Sequence, residues 1–475
     1  MSETSLSAPQ ITVDWNEVHQ ELDGFGASFA KQAHFLMACP EPARTQILTL
    51  LFSRASGAGL SIIRNQINSK SADLDPDYGT IEPRNNVFDF DHDEGQIWLM
   101  KEAKRHGVAR FISTAFSPPA WMKINNSTVD DGDPPEPDRN RLRRDRRDDY
   151  AEYLARYVRE YRERFGIELY AISPANEPEV SAAYQSCTWS AADLRDFIRD
   201  FLRPALAAER VSVRLIAPES LAWSELAHAA PLENDPETNA LVQIIGLHNY
   251  NTDPATNEPI VTAEAVAQTR ALNKRLWMTE VSTLEPDDPS MRDALMWAKT
   301  IHKHMVIAES NAWLWWWGVL AEATGGNHNT GQGLIYFNHE DGVFSVRKRF
   351  WSLAHFSRFL PPGAARVGAS ANPADGVYVS AYRSQDQSTP TLVIVAINTK
   401  ASEHSFAVSL NNVAADALLR YVTSDTQDMA QQAGISGADG EFALTLAPRS
   451  VTTLVGNVKR VADAPPPRKI YLPYF

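Results

Sequence analysis

Leu169-Tyr-Ala-Ile-Ser-Pro-Ala-Asn176 is a mainly apolar run that ends in Asn176-Glu177-Pro178. A strand of that composition is covered on both faces, as in a parallel sheet. Pro178 cannot extend a central strand, so the strand breaks just past a carboxylate. An ionisable glutamate at the tip of an apolar strand is costly unless it is solvated, paired or used. A bare Asn-Glu-Pro also fits a glutamate favoured by a helix dipole. What argues for function is its position in a series. Arg275-Leu-Trp-Met-Thr-Glu280 repeats the pattern further along.

Working outward, six more runs read as strands: Glu21-Leu-Asp-Gly-Phe-Gly26, Gly59-Leu-Ser-Ile-Ile-Arg-Asn65, Ala109-Arg-Phe-Ile-Ser-Thr-Ala115, Val213-Arg-Leu-Ile-Ala217, Val242-Gln-Ile-Ile-Gly-Leu-His248 and Ala312-Trp-Leu-Trp-Trp316. Helix-period segments lie between them. Tyr150, Tyr153, Leu154, Tyr157, Val158 and Tyr161 form an i, i+3, i+4 stripe over 148–165. Ser190 and Ser290 are N-cap serines for helices over 190–206 and 290–309. Strand and helix alternating eight times with right-handed crossovers is the α/β class, a (β/α)8 TIM barrel. Glu177 then ends the fourth strand and Glu280 the seventh.

After Pro361-Pro-Gly363 the period changes to short strands, from Val377-Tyr-Val-Ser-Ala-Tyr382 to Val451-Thr-Thr-Leu-Val455, divided by turn residues. That predicts an antiparallel side β-sandwich over 359–460, with 8–19 added because Ile11-Thr-Val-Asp-Trp15 precedes the barrel. The barrel then spans 20–358. Ala464-Pro-Pro-Pro-Arg468 opens a stiff peripheral tail over 461–475.

The chain has 475 residues, 44% hydrophobic and 22% charged, which excludes a disordered chain. No run approaches a membrane span. A net charge of -14 argues against nucleic acid as a partner. Two cysteines, Cys39 and Cys187, make neither a disulfide scaffold nor a four-cysteine zinc site. Residues 1–10 carry no apolar segment of a secretory signal. No dinucleotide loop or nucleophile elbow is present, and no metal or cofactor is expected. The chain is expected to be a monomer.

Two glutamates at barrel strand tips supply what glycoside hydrolysis needs: an acid for the leaving oxygen and a carboxylate for C1. Glu219 and Glu285 are competing carboxylates, and either also fits a supporting or substrate-binding group. Arg64 ends strand two, where a buried guanidinium needs a carboxylate. His248 and Tyr250 flank the end of strand six, and a tyrosine hydroxyl there would favour an ionised neighbour. Trp313, Trp315, Trp316 and Trp317 crowd strand eight, and period-two alternation prevents all of them from facing one ligand. The basic run at 139–147 is interleaved with acids and reads as a solvated, internally paired face, while its place in the loop after strand three, at the active-site end, leaves a uronate contact as the alternative.

The spacing of these motifs resembles clan A retaining glycosidases. Asp23-Gly-Phe-Gly-Ala-Ser28, Ser117-Pro-Pro-Ala-Trp-Met122, Tyr184-Gln-Ser-Cys-Thr-Trp189, Trp277-Met-Thr-Glu280 and Arg349-Phe-Trp-Ser-Leu-Ala-His-Phe-Ser-Arg358 narrow the likeness to glycoside hydrolase family 30, in its xylanase-like branch. The resemblance implies a secreted enzyme acting on polysaccharide or oligosaccharide. It implies Glu177 as acid/base and Glu280 as nucleophile, with Asn176 at the sugar 2-hydroxyl or the nucleophile. Trp121 would floor the cleavage subsite, Trp316 would meet substrate, and Arg64, His248 and Tyr250 would support the carboxylates. Glucuronoxylan-specific members carry a cation soon after strand eight. Here 318–342 has no Arg or Lys, which points to an endo-β-1,4-xylanase without strict glucuronate dependence. Asn327-His-Asn329 would meet neutral hydroxyls instead. The alternatives are a β-1,6-galactanase, a β-glucosidase or glucosylceramidase, and, from another class, a non-catalytic carbohydrate-binding barrel.

Overall fold

A computed structural model describes residues 9–70, 78–322, 331–386, 389–437, 441–461 and 465–469. The first strand, β1 (Gln10–Glu21), lies outside the barrel. The barrel is built from β2 (Gly24–Ser28), β3 (Ile62–Ile67), β4 (Arg110–Ala115), β5 (Ala171–Ser173), β6 (Arg214–Ser220), β7 (Val242–His248), β8 (Arg275–Glu280) and β9 (Ala312–Ala321). Neighbours pair in parallel in sequence order. Closure is made by β9, which pairs with both β8 (Trp277↔Ala312) and β2 (Gly24↔Ala312).

One buried layer inside the barrel shows why it closes. Ile62, Ile112, Ala171, Ile216, Ile244, Trp277, Ala312 and Leu314 form a single apolar cluster, the filled interior that this architecture requires. β2 contributes glycine instead. A Cβ on Gly26 would lie 2.8 Å from Ile62 Cβ and closer still to the Ile62 carbonyl.

The expected helices form with small shifts. The tyrosine-striped one spans Arg147–Glu163 and buries every residue of its stripe. Ser190 Oγ accepts from the Asp193 amide at 3.0 Å, and Ser290 Oγ from Arg292 at 3.2 Å. The second of these helices runs Met291–Val306, ending short of residue 309.

Two strands follow the barrel that the eight-strand count left out. β10 (Gly333–Phe337) pairs in parallel with the outer half of β9, and β11 (Phe344–Val346) pairs antiparallel with β10. The ten residues of β9 thus close the barrel at one end and carry a two-strand extension of the same sheet at the other.

The sandwich is one long sheet. Its later strands are β12 (Ala365–Ala369), β13 (Val377–Asp386), β14 (Thr389–Asn398), β15 (His404–Asn411), β16 (Val413–Ala414), β17 (Ala417–Ser424), β18 (Gln427–Ser436), β19 (Glu441–Leu446), β20 (Ser450–Asn457), β21 (Lys459–Arg460) and β22 (Arg468–Lys469). The order is β18-β17-β20-β14-β13-β12-β1-β15-β19, with β16 and β21 pairing separately. It is not wholly antiparallel, as expected from the sequence. β1 pairs antiparallel with β12 but parallel with β15 (Ile11↔Val408). No hairpin turn dictates the direction of a strand from the chain's start, so it fills the gap with one neighbour of each sense. Nor is the described part of the tail free of the sheet. β22 pairs with β1 (Glu17↔Arg468), and Asn16 Nδ2 donates to Pro465 O at 2.6 Å.

The helix Lys348–Ser357 joins the two units. His355 lies between Thr453 Oγ1 (2.8 Å) and Thr423 Oγ1 (2.9 Å) of the sandwich. Arg349 bonds Asp293 Oδ2 at 2.7 Å, Gly333 O at 3.0 Å and Asp287 on the barrel side. Much of the Arg349-to-Arg358 motif is therefore a joint. Cys39 and Cys187 are buried and unpaired. Among the described residues no helix is long and apolar enough to cross a membrane.

Candidate active site

The C-terminal tips of the barrel strands converge, and they carry most of the residues singled out from the sequence. Glu177 follows β5 in a left-handed backbone conformation, φ +45°. That costs a non-glycine residue about 1–3 kcal/mol and persists only when neighbours impose it. Here the Glu177 amide donates to Glu219 O at 2.8 Å, and its own carbonyl accepts from Val180 at 2.8 Å. Glu280 is the last residue of β8. Glu177 is 3% exposed and Glu280 5%. Single oxygens of the two carboxylates and a ring nitrogen of His248 all lie within 4.8 Å of one another.

Each carboxylate has two side-chain partners, one per oxygen. Arg64 Nη1 donates to Glu280 Oε2 at 2.5 Å and Tyr250 Oη to Glu280 Oε1 at 2.9 Å. His248 Nδ1 is 2.9 Å from Glu177 Oε1, and the Tyr184 hydroxyl donates to Glu177 Oε2. The other Arg64 nitrogen, Nη2, donates to Asn176 Oδ1 at 2.8 Å. One guanidinium thus ties the nucleophile candidate to the Asn-Glu-Pro tip.

Beneath these lies Glu219, wholly buried at the end of β6. It accepts from Thr114 Oγ1 (3.1 Å) and Thr279 Oγ1, and faces His248 Nε2 at 3.2 Å. A Cβ on Gly246 would stand 3.2 Å from its Oε2, so glycine makes room there. Glu219 competes for a catalytic role on sequence alone. Its burial removes it from any ligand and makes it the counter-anion of Arg64 and His248.

The electrostatics follow from this stacking. Burial opposes ionisation of Glu219, yet Arg64, His248 and Thr279 together hold its carboxyl at about 2. Burial also opposes charge on His248, but Glu280 and the bonds to Glu177 and Glu219 push the imidazole up to about 10. Glu280 is pushed above the usual carboxylate range, first by burial and then by the charge of Glu177, against the pull of His248, Arg64 and Tyr250. The donors that favour its ionised form are outweighed by its desolvation.

Glu177, His248 and Glu280 have the spacing of a metal-binding trio. A charged imidazole offers no lone pair, however, and Arg64 already occupies Glu280. These residues do not fit a resident cation.

The aromatic residues divide. Trp316 is half-buried and stacks on Phe116, ring centroids 5.7 Å apart, with Arg64 5.8 Å from its ring. Trp313 and Trp315 are buried and pack on Trp297. The register of β2 against β9 skips Trp316, pairing Ala27 with Trp315 and Ser28 with Trp317. Trp316 keeps the parity of Ala312 and Leu314, which face the barrel interior, so alternation separates it from the packed Trp313 and Trp315. Trp121 is not bonded into the network. Its indole donates to Glu82 O at 3.1 Å, and Arg146 lies over its ring at 5.5 Å. Glu285 is exposed and outside the network. Asn327-His-Asn329 lies outside the described residues. In the basic run, Arg139, Arg141, Arg143, Arg146 and Arg147 pair with Glu136, Asp138, Asp145, Asp149 and Asp193.

Sequence reasoning missed Tyr184 and Thr279. Tyr184 stood in a quoted motif, but nothing local says that its hydroxyl reaches Glu177.

Carboxylates paired at the C-terminal mouth of a (β/α)8 barrel, with a side sandwich, define a glycoside hydrolase. Comparison with known proteins agrees. Residues 22–358 match the model for glycosyl hydrolase family 59, and residues 363–454 match the glycosyl hydrolase family 30 beta sandwich domain. A glucuronoxylanase of Bacillus subtilis is 30% identical over 382 residues, 80% of this chain and 79% of the relative. The crystal structure of a family 30 subfamily 8 xylanase from Clostridium acetobutylicum superposes with TM-score 0.76 at 29% identity, covering 95% of this chain and all of that one. An endo-1,6-beta-D-glucanase of Aspergillus fumigatus is 23% identical over 77% of this chain and 76% of its own. The chain belongs to glycoside hydrolase family 30.

Proposed function

We propose that this hydrolase is a retaining endo-β-1,4-xylanase that works by double displacement, with Glu280 as nucleophile and Glu177 as acid/base. The observation that carries the reading is the approach of single oxygens of the two carboxylates to within 4.8 Å at one barrel mouth. Retention uses carboxyl groups about 5–5.5 Å apart, and inversion needs about 6.5–9.5 Å to admit a water.

In the first step a Glu280 oxygen forms a bond to C1 of the sugar as the C1–oxygen bond to the leaving chain breaks. Glu177 gives its proton to that departing oxygen. In the second step Glu177 takes a proton from water, whose oxygen forms a bond to C1 and releases Glu280. Glu177 Oε1 is held by His248, so the proton passes through Oε2. The Tyr184 hydroxyl marks the place that the leaving oxygen must take. Tyr250 and Arg64 accept the return of negative charge on Glu280 when the intermediate breaks down.

Xylan as substrate is supported by relatives named as xylanases. Independence from glucuronate is supported by the absence of Arg and Lys from 318–342, and by the pairing of five of the six arginines in 139–147 with nearby acids. The test has two arms. A 2-deoxy-2-fluoro-xylosyl fluoride should label Glu280, read by peptide mass, and nuclear magnetic resonance should show the β-anomer as first product. A panel of xylan, glucuronoxylan, β-1,6-galactan and β-1,6-glucan should show release from both xylans. First release of the α-anomer, or cleavage of a β-1,6-glycan alone, would defeat the proposal.

A further inference from the structure

At the opposite end of the barrel, where the strands begin, the barrel meets the sandwich over a crevice of about 630 Å3. Barrel residues line one side and β1, β13, β21 and β22 the other. This face lies away from Glu177 and Glu280, which stand at the strand tips. Although the whole chain carries -14, the crevice is cationic. Arg270, Lys274, Arg275, Arg383, Arg460 and Lys469 line it against two carboxylates, Glu21 and Glu309.

Both carboxylates are already committed. Arg275 bonds Glu21 at 2.8 Å, and Glu309 is held by Arg270 and by Arg366 at 3.0 Å. Among the described residues Arg383, Arg460 and Lys469 have no carboxylate partner. Arg460 donates to Pro465 O at 3.1 Å, and the Arg383 guanidinium lies 5.9 Å from the Trp15 ring. Burial, with the charge of Arg460, pushes Arg383 below its usual range. Half-buried Arg383 thus faces the like charge of exposed Arg460 with no carboxylate opposite it among the described residues, an arrangement that a bound anion relieves.

We infer that this crevice is an anion site, separate from the catalytic one, that takes the carboxylate of a uronic-acid residue on a saccharide chain. A planar guanidinium matches a carboxylate in bidentate fashion. The volume falls within the ~300–1,000 Å3 of small-molecule sites, which favour domain interfaces, and is generous for a bare inorganic anion. The saccharide part of the inference rests on the polysaccharide reading above, whereas the anion part stands on the charges alone. Such a site would hold an acidic polymer to the enzyme without placing a uronate in the catalytic cleft.

The test titrates sodium D-glucuronate, inorganic phosphate and xylose against the full chain by ligand-observed nuclear magnetic resonance. The proteins are wild type, Arg460→Gln and the Arg383→Gln/Arg460→Gln double variant. Arg460 is exposed, so its single variant keeps the test valid if the double variant folds poorly. Glucuronate should bind wild type and xylose should not. Arg460→Gln should weaken glucuronate at least tenfold, and the double variant should abolish it. Hydrolysis of an aryl β-xyloside should stay near wild type in the variants and should not be inhibited competitively by glucuronate. No glucuronate binding, phosphate binding alone, or binding unchanged in Arg460→Gln would overturn the inference. Failure of the aryl xyloside to turn over would count against the proposed function while leaving the crevice titration readable.

Discussion

Replacing Tyr250 by phenylalanine deletes one oxygen and leaves a ring that packs edge-on to His248, centroids 6.1 Å apart at 80°. The lost hydroxyl donates to Glu280 Oε1 at 2.9 Å. That bond favours the ionised carboxylate over the neutral acid. A hydrogen bond to a charged group contributes about 1.5–3 kcal/mol. At about 1.4 kcal/mol per pKa unit, its loss raises Glu280 by roughly 1–2 units. Arg64 still holds Oε2, so the carboxylate keeps one donor and the fold should survive. The direction adds to the upward push that Glu280 already receives from burial. The assay is kcat/KM for an aryl β-xyloside across pH, which reports the free enzyme. The acidic limb should move to higher pH by about 1–2 units, and the basic limb, set by the catalytic acid, should stay. An acidic limb that does not move, in a variant with unchanged melting temperature, would refute the claim that Tyr250 stabilises the nucleophile's charge. Movement of the basic limb alone would exchange the roles of the two glutamates.

Glu177→Gln should cut kcat/KM by about 10²–10⁴ on xylan, whose leaving oxygen needs a proton, and much less on a dinitrophenyl xyloside. Equal losses on both substrates, measured in parallel, would contradict the acid role. Asp93 is buried against Tyr161 and Gln96, and burial pushes its carboxyl up to about 7. Between about pH 4 and 7 the folded chain keeps a proton that the unfolded chain has lost, so stability from this group falls as pH rises through that window and stays lost above it. Asp93→Asn should therefore gain on wild type in urea melts between pH 5 and pH 8, and a gain that is flat with pH would count against the mechanism. Ile216→Ala, in the apolar layer inside the barrel, should cost about 2–5 kcal/mol in urea denaturation with little change in KM. A loss of activity without a loss of stability would place Ile216 in the site instead.

The barrel was legible because its strands carry nearly unbroken apolar runs and its helices a clear stripe. The convergence of Glu177 and Glu280 followed from counting strands, since tips of one closed barrel share a mouth. β18 was missed because Gln427–Ser436 is polar and largely exposed, so no alternation marks it. β10 was missed for the opposite reason. It is buried throughout and reads like a ninth barrel strand, which an eight-strand count has no place for. The bulge at Trp316 is a matter of register between β2 and β9, and pattern along one strand does not carry it. Tyr184 and Glu219 act through contacts across loops and strand ends, with separations that a local motif does not encode.

The place of β1 in the sandwich has a consequence for how the chain is made. Gln10 pairs with Ala407 and Val13 with Ala369, so a strand made before the barrel waits for neighbours made after it. At roughly 5–20 residues per second the interval is on the order of 20–80 s. Throughout it the barrel strands can close on one another while β1 offers two unpaired edges to any chain nearby. Newly made molecules should thus be most prone to cross-associate late in synthesis, and a nascent chain truncated just before residue 365 should bind chaperones more than the finished protein. For an engineer, the same topology means that the sandwich is not a detachable module: removing it strands the very segment that leads into the barrel.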